Sequence, residues 1–291
     1  MKKFILLFLL IPSLCFAVEP IDFSKSIAMS PAILGGSAGV AAAGTTAFCT
    51  AAATCTATNP GECDILCEDF EGIAECDADS SPDMDAACRN GYAVVVGTDA
   101  TLDFTSTASG TYPCATTTNT NVLKMTHAAT VTTSRVVLNS GSAQSIIHAQ
   151  VYVRFNSEGI LTGQSVIVMS GCADSGCSQP LWTVALYDIA GTLSLRANFR
   201  DATPAWTLLT GPNVSLNTWY RIQVKADKTN SLIDFKVDGT SYGTDGNEDS
   251  ITWYDRNQQY FVLMVDNKAT TEVEFDNWAV DNDTAQGACL N

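Results

Sequence analysis

The stretch WYRIQVKADKTNSLIDFKVDG, residues 219–239, decides the fold class. Tyr220, Ile222 and Val224 alternate with Arg221, Gln223 and Lys225. After the polar break Asp-Lys-Thr-Asn, Ile233, Phe235 and Val237 alternate with Leu232, Asp234, Lys236 and Asp238. A period of two puts apolar side chains on one face of a strand and polar ones on the other. The pattern predicts a hairpin with one face against a core and one toward solvent. Asp238-Gly239 then supplies a tight turn, because glycine takes a positive φ at little cost.

The same rhythm recurs outward from this hairpin, from Asp64 on. YAVVVG, SRVVLNSG, SIIHAQVYVRF, QSVIVMSG, LWTVALYD, TLSLRANFR, YFVLMVDN and TEVEFDNWAV are separated by Gly, Asn, Asp, Ser and Pro. No comparable stretch keeps a helical period. The prediction is an all-β domain over 62–291, a two-sheet antiparallel jelly-roll sandwich.

The N-terminal part reads differently. MKKFILLFLLIPSLCFA has two lysines, an apolar run and a small residue at Ala17, the pattern of a signal peptide over 1–17. The apolar run is shorter than the roughly 20 residues a membrane span requires. The expected location is secreted, either extracellular or at the cell surface, with the periplasm as the other compartment. No membrane span is expected after cleavage. Residues 18–61 are rich in Ala, Gly, Thr and Ser, and Phe48 follows a long stretch without large side chains. Such residues bury too little area to offset the ordering of their backbone, so a low-complexity arm or linker is expected.

Charge narrows the partners. The chain carries 31 acidic residues against 15 basic ones, a formal net charge of −16. Loss of Lys2 and Lys3 with the leader makes it more negative still. A surface of this sign repels nucleic acid. Of 11 cysteines, removal of Cys15 leaves an even number, and disulfides are the default in an exported chain. Cys172 and Cys177 flank the turn-forming Ala-Asp-Ser-Gly and are expected to pair. Cys289 is assigned to Cys67 or another cysteine beside the first strand.

Three motifs in order resemble the concanavalin A-like, laminin-G-like jelly rolls: CEDFEG (67–72), NTWYRIQVKAD with IDFKVDG (217–239), and VEFDNWAV (273–280). The resemblance spans about 64–288. It implies two antiparallel sheets, one concave, and glycan recognition on the concave face or its rim. It also implies a structural Ca2+ shared by an acid of the first strand and one of the last, which here are Glu71 and Asp276. Calcium takes several oxygen ligands, carboxylates and backbone carbonyls among them.

Candidate chemistry follows from this frame. SIIHAQVYVRF puts His148, Gln150, Tyr152 and Arg154 on one side of a strand. Such a stripe has a base, and donors for a uronate carboxylate. In alginate-lyase-like relatives Gln and His stand two apart; here their order is reversed. Retaining glycosidases require paired carboxyl groups about 5–5.5 Å apart. The acidic run Glu272, Glu274, Asp276 lies on the expected closing strand and reads as a solvated face. For sugar binding without turnover, flat sugar faces stack on aromatic rings. Trp182, Trp206 and Trp253 fall in loop-like segments and serve as platforms, while Trp219 and Trp278 belong to the core. Arg196, Asn198 and Arg200 share one face of LSLRANFR and line the same surface as His148 and Arg154.

Three functions stay open: a non-catalytic module that binds a polysaccharide or cell-surface glycan, a polysaccharide lyase working around His148, Tyr152 and Arg154, and a structural or adhesive surface protein.

Overall fold

A computed structural model describes residues 66–68, 70, 77–79, 93–96, 100–110, 121–127, 133–157, 159–160, 163–202, 205–243, 249–254, 256–265 and 271–282. The leader, the arm, Glu71 and Cys289 lie outside the described residues.

All regular structure among the described residues is β. One sheet follows the order β14 (Thr240–Ser241), β13 (Leu232–Val237), β12 (Trp219–Asp227), β7 (Ile146–Ser157), β17 (Thr271–Asp281), β5 (Asn121–His127), β4 (Ala100–Thr107), β2 (Asp77–Asp79). In addition β1 (Leu66–Glu68) pairs with β17, and β15 (Asp249–Ser250) pairs with β13. The other sheet has seven strands: β11 (Trp206–Asn213), β10 (Thr192–Arg200), β9 (Pro180–Ile189), β8 (Ser165–Cys172), β16 (Gln258–Val265), β6 (Ser134–Gln144), β3 (Ala93–Val95). Every pairing is antiparallel.

The alternation read from the sequence is the alternation that packs. Ile147, Ala149, Val151, Val153 and Phe155 of β7 enter the shared core with Ile222 and Val224 of β12 and Phe235 of β13. Leu195, Ala197 and Phe199 of β10 and Phe261, Leu263 and Val265 of β16 meet them from the other sheet. At about 25 cal/mol per Å2 of apolar area removed from water, this layer is the main stabilising term. Asp238 and Gly239 both have positive φ, 50° and 80°, as a two-residue turn between β13 and β14 requires.

One expectation changes. The outward face of the ten-stranded sheet is covered along β7 and the middle of β17. His148, Gln150, Tyr152 and Arg154 are 5, 3, 3 and 7% exposed, and Glu274 and Asp276 are fully buried. Alternation fixes which side a residue takes; it does not say whether that side is covered.

Candidate functional site

The first strand of the motif pattern lies beside the last, as expected: Leu66, Cys67 and Glu68 pair with Val280, Ala279 and Trp278. Asp276 sits at a bulge of β17, where its Oδ1 accepts the Asn277 N–H at 2.6 Å. Among the described residues no group of three or more His, Cys, Asp or Glu side chains gathers to hold a metal. Glu71, the acid expected to share a calcium with Asp276, lies outside the described residues.

On the outward face of β7, an ionic network forms. Arg154 faces Glu274 across the β7–β17 ladder, with Nη1 3.8 Å from Oε2. Arg154 also donates to Asn156 Oδ1 and, at 3.1 Å, to Asn217 Oδ1. Asn156 Nδ2 donates to Glu272 and Glu274, each at 2.7 Å, and Lys124 Nζ lies 2.9 Å from Glu272. The segment after β4 closes over this network. Ser109 donates its N–H to Glu274 at 3.0 Å and its hydroxyl at 2.5 Å, while the Trp219 indole donates to the Ser109 carbonyl at 3.1 Å. A Cβ on Gly110 would stand 3.4 Å from the Arg154 guanidinium. Burial pushes the Glu272 carboxyl up. Hydrogen bonds from Lys124 and Asn156, with the charges of Lys124 and Arg154, outweigh that and hold it below the ordinary range. Tyr152 packs with Val122 and Trp219 in a separate apolar cluster. Gln150 accepts from Gln223 Nε2 at 3.2 Å. The His148–Arg154 stripe is therefore a packed layer, with Arg154 committed to partners inside the chain.

The outward face of the seven-stranded sheet is different, and it does not adjoin the stripe. Arg196, Asn198 and Arg200 point away from the core on the opposite side of the sandwich from His148 and Arg154, so the expected common surface does not form. Cross-strand register aligns what they meet. Arg200 stands opposite Trp206, Asn198 opposite Leu208 and Thr183, and Arg196 opposite Thr210 and Ala185. Asn198 Nδ2 donates to Thr183 Oγ1 and to the Tyr187 hydroxyl, each at 3.3 Å. The Arg196 guanidinium lies over the Tyr187 ring, 5.0 Å from its centroid. That of Arg200 lies over Tyr254 at 4.1 Å. Such cation–π contacts hold a long side chain in place while leaving its N–H groups available. Trp206 and Leu208 are each 44% exposed. Toward β6 the same face turns apolar: Val137, Val262 and Met264 pack with Cys172. The Cys172–Cys177 disulfide, read from the sequence, closes the loop there. The exposed Trp206 and the Arg196–Asn198–Arg200 row thus lie on β10 and β11.

The three tryptophans separate. Trp206 opens strand β11 rather than lying in a loop, and its ring is on the surface. Trp182 is not in a loop: it lies inside β9, 1% exposed, with Nε1 donating to Gln258 at 2.6 Å. Pro180 begins that strand, a place where the missing N–H costs no ladder bond. Trp253 is half-buried, edge-on to Phe199 and donating to the Asp227 carbonyl at 3.1 Å. Tyr187, Tyr254 and Thr183 were not singled out by sequence reasoning. The strand period carried a signal for Thr183 and Tyr187, since both fall on the outward parity of LWTVALYD; Tyr254 had none.

No protein-family model matches the chain, and no curated protein matches its sequence. Solved structures do match in shape. A sialidase aligns with 77% of this chain at 8% identity and a TM-score of 0.51. The alignment takes up 19% of the sialidase chain, so this protein spans about a fifth of that match. A carbohydrate esterase from the Shiga toxin-encoding bacteriophage phi24B aligns over 75% of this chain and 100% of its own, at 15% identity and TM-score 0.48. An alginate lyase from Pseudomonas aeruginosa aligns over 56% and 83%, at 12% identity and TM-score 0.45. Identities this low speak to fold alone. The architecture is that of the concanavalin A-like jelly rolls, two antiparallel sheets face to face.

Proposed function

We propose that this chain is an exported glycan-binding module whose site is the outward face of β9, β10 and β11. One observation carries the reading: Trp206, 44% exposed, stands opposite Arg200 and beside the row Leu208–Asn198–Thr183, all held in register by the ladder. An exposed indole supplies a flat stacking surface for a pyranose ring, and amide and hydroxyl groups beside it supply hydrogen bonds to sugar hydroxyls. Neither function asks for a catalytic acid or base. The His148, Tyr152 and Arg154 stripe supports a lyase less well, because Tyr152 is packed against Trp219 and Arg154 is paired with Glu274. Export rests on the 1–17 leader pattern and the cysteine content of the sequence. A structural Ca2+ at Asp276 with Glu71 belongs to the same proposal; an unchanged melting temperature between calcium and chelator removes it.

The test is a glycan array probed with the full chain and its Trp206→Ala variant. Retention of a defined glycan that falls about tenfold or more in the variant, at unchanged melting temperature, is the expected result. If no glycan is retained, the structural or adhesive reading takes its place.

A further inference from the structure

Charge is unevenly divided between the two sheets. The ten-stranded sheet holds many carboxylates, among them Asp103, Asp227, Asp234, Glu272, Glu274 and Asp276. The strands of the seven-stranded sheet carry three arginines, Arg135, Arg196 and Arg200, and one carboxylate, Asp188. That carboxylate caps the β9–β10 turn, accepting the Gly191 N–H at 2.7 Å. In a chain of net charge −16, one sheet has been kept almost free of acid.

The arginines are also differently employed. Arg135 donates to the Gly176 carbonyl at 2.5 Å, tying β6 to the disulfide loop. Among the described residues, Arg196 and Arg200 meet no carboxylate; each lies on a tyrosine ring instead. Arg196 Nε is buried without a hydrogen-bond partner among them. The two stand on the same side of β10, four residues apart, with Asn198 between. Four strand residues span roughly 13 Å. A guanidinium presents a planar fork that matches an oxyanion in two parallel hydrogen bonds.

We infer that the ligand is an anionic polysaccharide, carboxylated or sulfated, whose charged groups are received by Arg196 and Arg200 while its sugar rings lie along Asn198 and Trp206. This deepens the glycan-binding reading and rests on it. The remaining acidic surface rejects polyanions at other faces, so the near absence of acid on this sheet directs the polymer to one place.

The experiment measures binding of the full chain to three soluble polymers of similar length: a polyuronate, a sulfated polysaccharide and a neutral glucan. Calorimetric titration is run at about 50 mM and about 500 mM salt, a range that spans strong to weak screening. At least one anionic polymer is expected to bind, and to weaken tenfold or more at the higher salt. The arm that binds tells carboxylate from sulfate. Arg196→Gln and Arg200→Gln are each expected to lower affinity about tenfold. Asn198→Asp, which sets a carboxylate between them, tests the charge if either arginine variant fails to fold, and is expected to abolish anionic binding. Equal, salt-insensitive binding of the neutral glucan overturns the inference and leaves the glycan-binding reading standing. Failure of all three polymers, together with an empty array, overturns both.

Discussion

Arg154 and Glu274 stand opposite each other on β7 and β17, 3.8 Å apart, with the carboxylate wholly removed from solvent. Ser109 lies 165 residues before Glu274 in the chain and gives it two hydrogen bonds. Breaking one side of a buried pair strands the other charge, a loss of about 3–5 kcal/mol. Arg154→Met is therefore expected to lower the unfolding free energy by that amount, seen as a lower urea midpoint. Adding Glu274→Leu to it should recover part of the loss. A midpoint unmoved by the single change contradicts the network.

Trp182 and Trp206 should behave as opposites. Trp182→Phe removes a buried indole and leaves the Gln258 oxygen without its donor, a combined cost of about 2–4 kcal/mol. Trp206→Ala, on the surface, should change stability by no more than about 0.5 kcal/mol while reducing glycan retention. Denaturant melts of the two variants, run side by side, decide this.

Gly171 backs the Trp182 ring so closely that a Cβ there would lie 2.3 Å from Nε1. Gly171→Ala is expected to destabilise by about 1–3 kcal/mol through overpacking. Near-ultraviolet circular dichroism should show the indole displaced.

His127, at the end of β5, is buried, and its Nε2 finds no partner among the described residues. Burial lowers its pKa from the ordinary 6.5. Above that value neither folded nor unfolded chain holds the proton. As pH falls below it, the unfolded chain takes the proton first, so stability declines, by at most about 1.4 kcal/mol per pH unit, until the folded value is passed. His127→Gln should remove that part of the decline between about pH 7.5 and pH 5.5, as read from urea midpoints.

The Cys172–Cys177 bond closes a short loop, and loop-closure entropy assigns it about 2 kcal/mol. Asp174 also braces this loop, accepting the N–H groups of Ser178 and Gln179 at 3.0 and 3.1 Å. Replacing both cysteines, Cys172→Ser with Cys177→Ser, is expected to lower the unfolding free energy by about 2 kcal/mol without a change in far-ultraviolet circular dichroism.

The two-residue period was enough to place Ile147, Val151, Ile222, Phe235 and Leu195 in the core, because that signal is local. The resemblance put the first strand motif beside the last, and the turn-forming insert between Cys172 and Cys177 put the disulfide across its loop. What the period did not show is the covering of the outward face. Glu272, Glu274 and Asp276 look solvated in sequence, yet Glu274 is bound by Ser109 and Asn156, more than 100 residues earlier in the chain. Such pairings depend on which segment folds over which, and no spacing records that. The Arg196–Arg200 surface was half legible: its residues share a parity, but the sheet they belong to appeared only with the strand order.

The central place of β17 has a consequence for biogenesis. It holds β7 on one side and both β5 and β1 on the other. Until residues 271–281 emerge from the ribosome, those three partners have nothing to join them, so a nascent polypeptide cannot close the layer. Assembly of that layer therefore waits on the synthesis of β17.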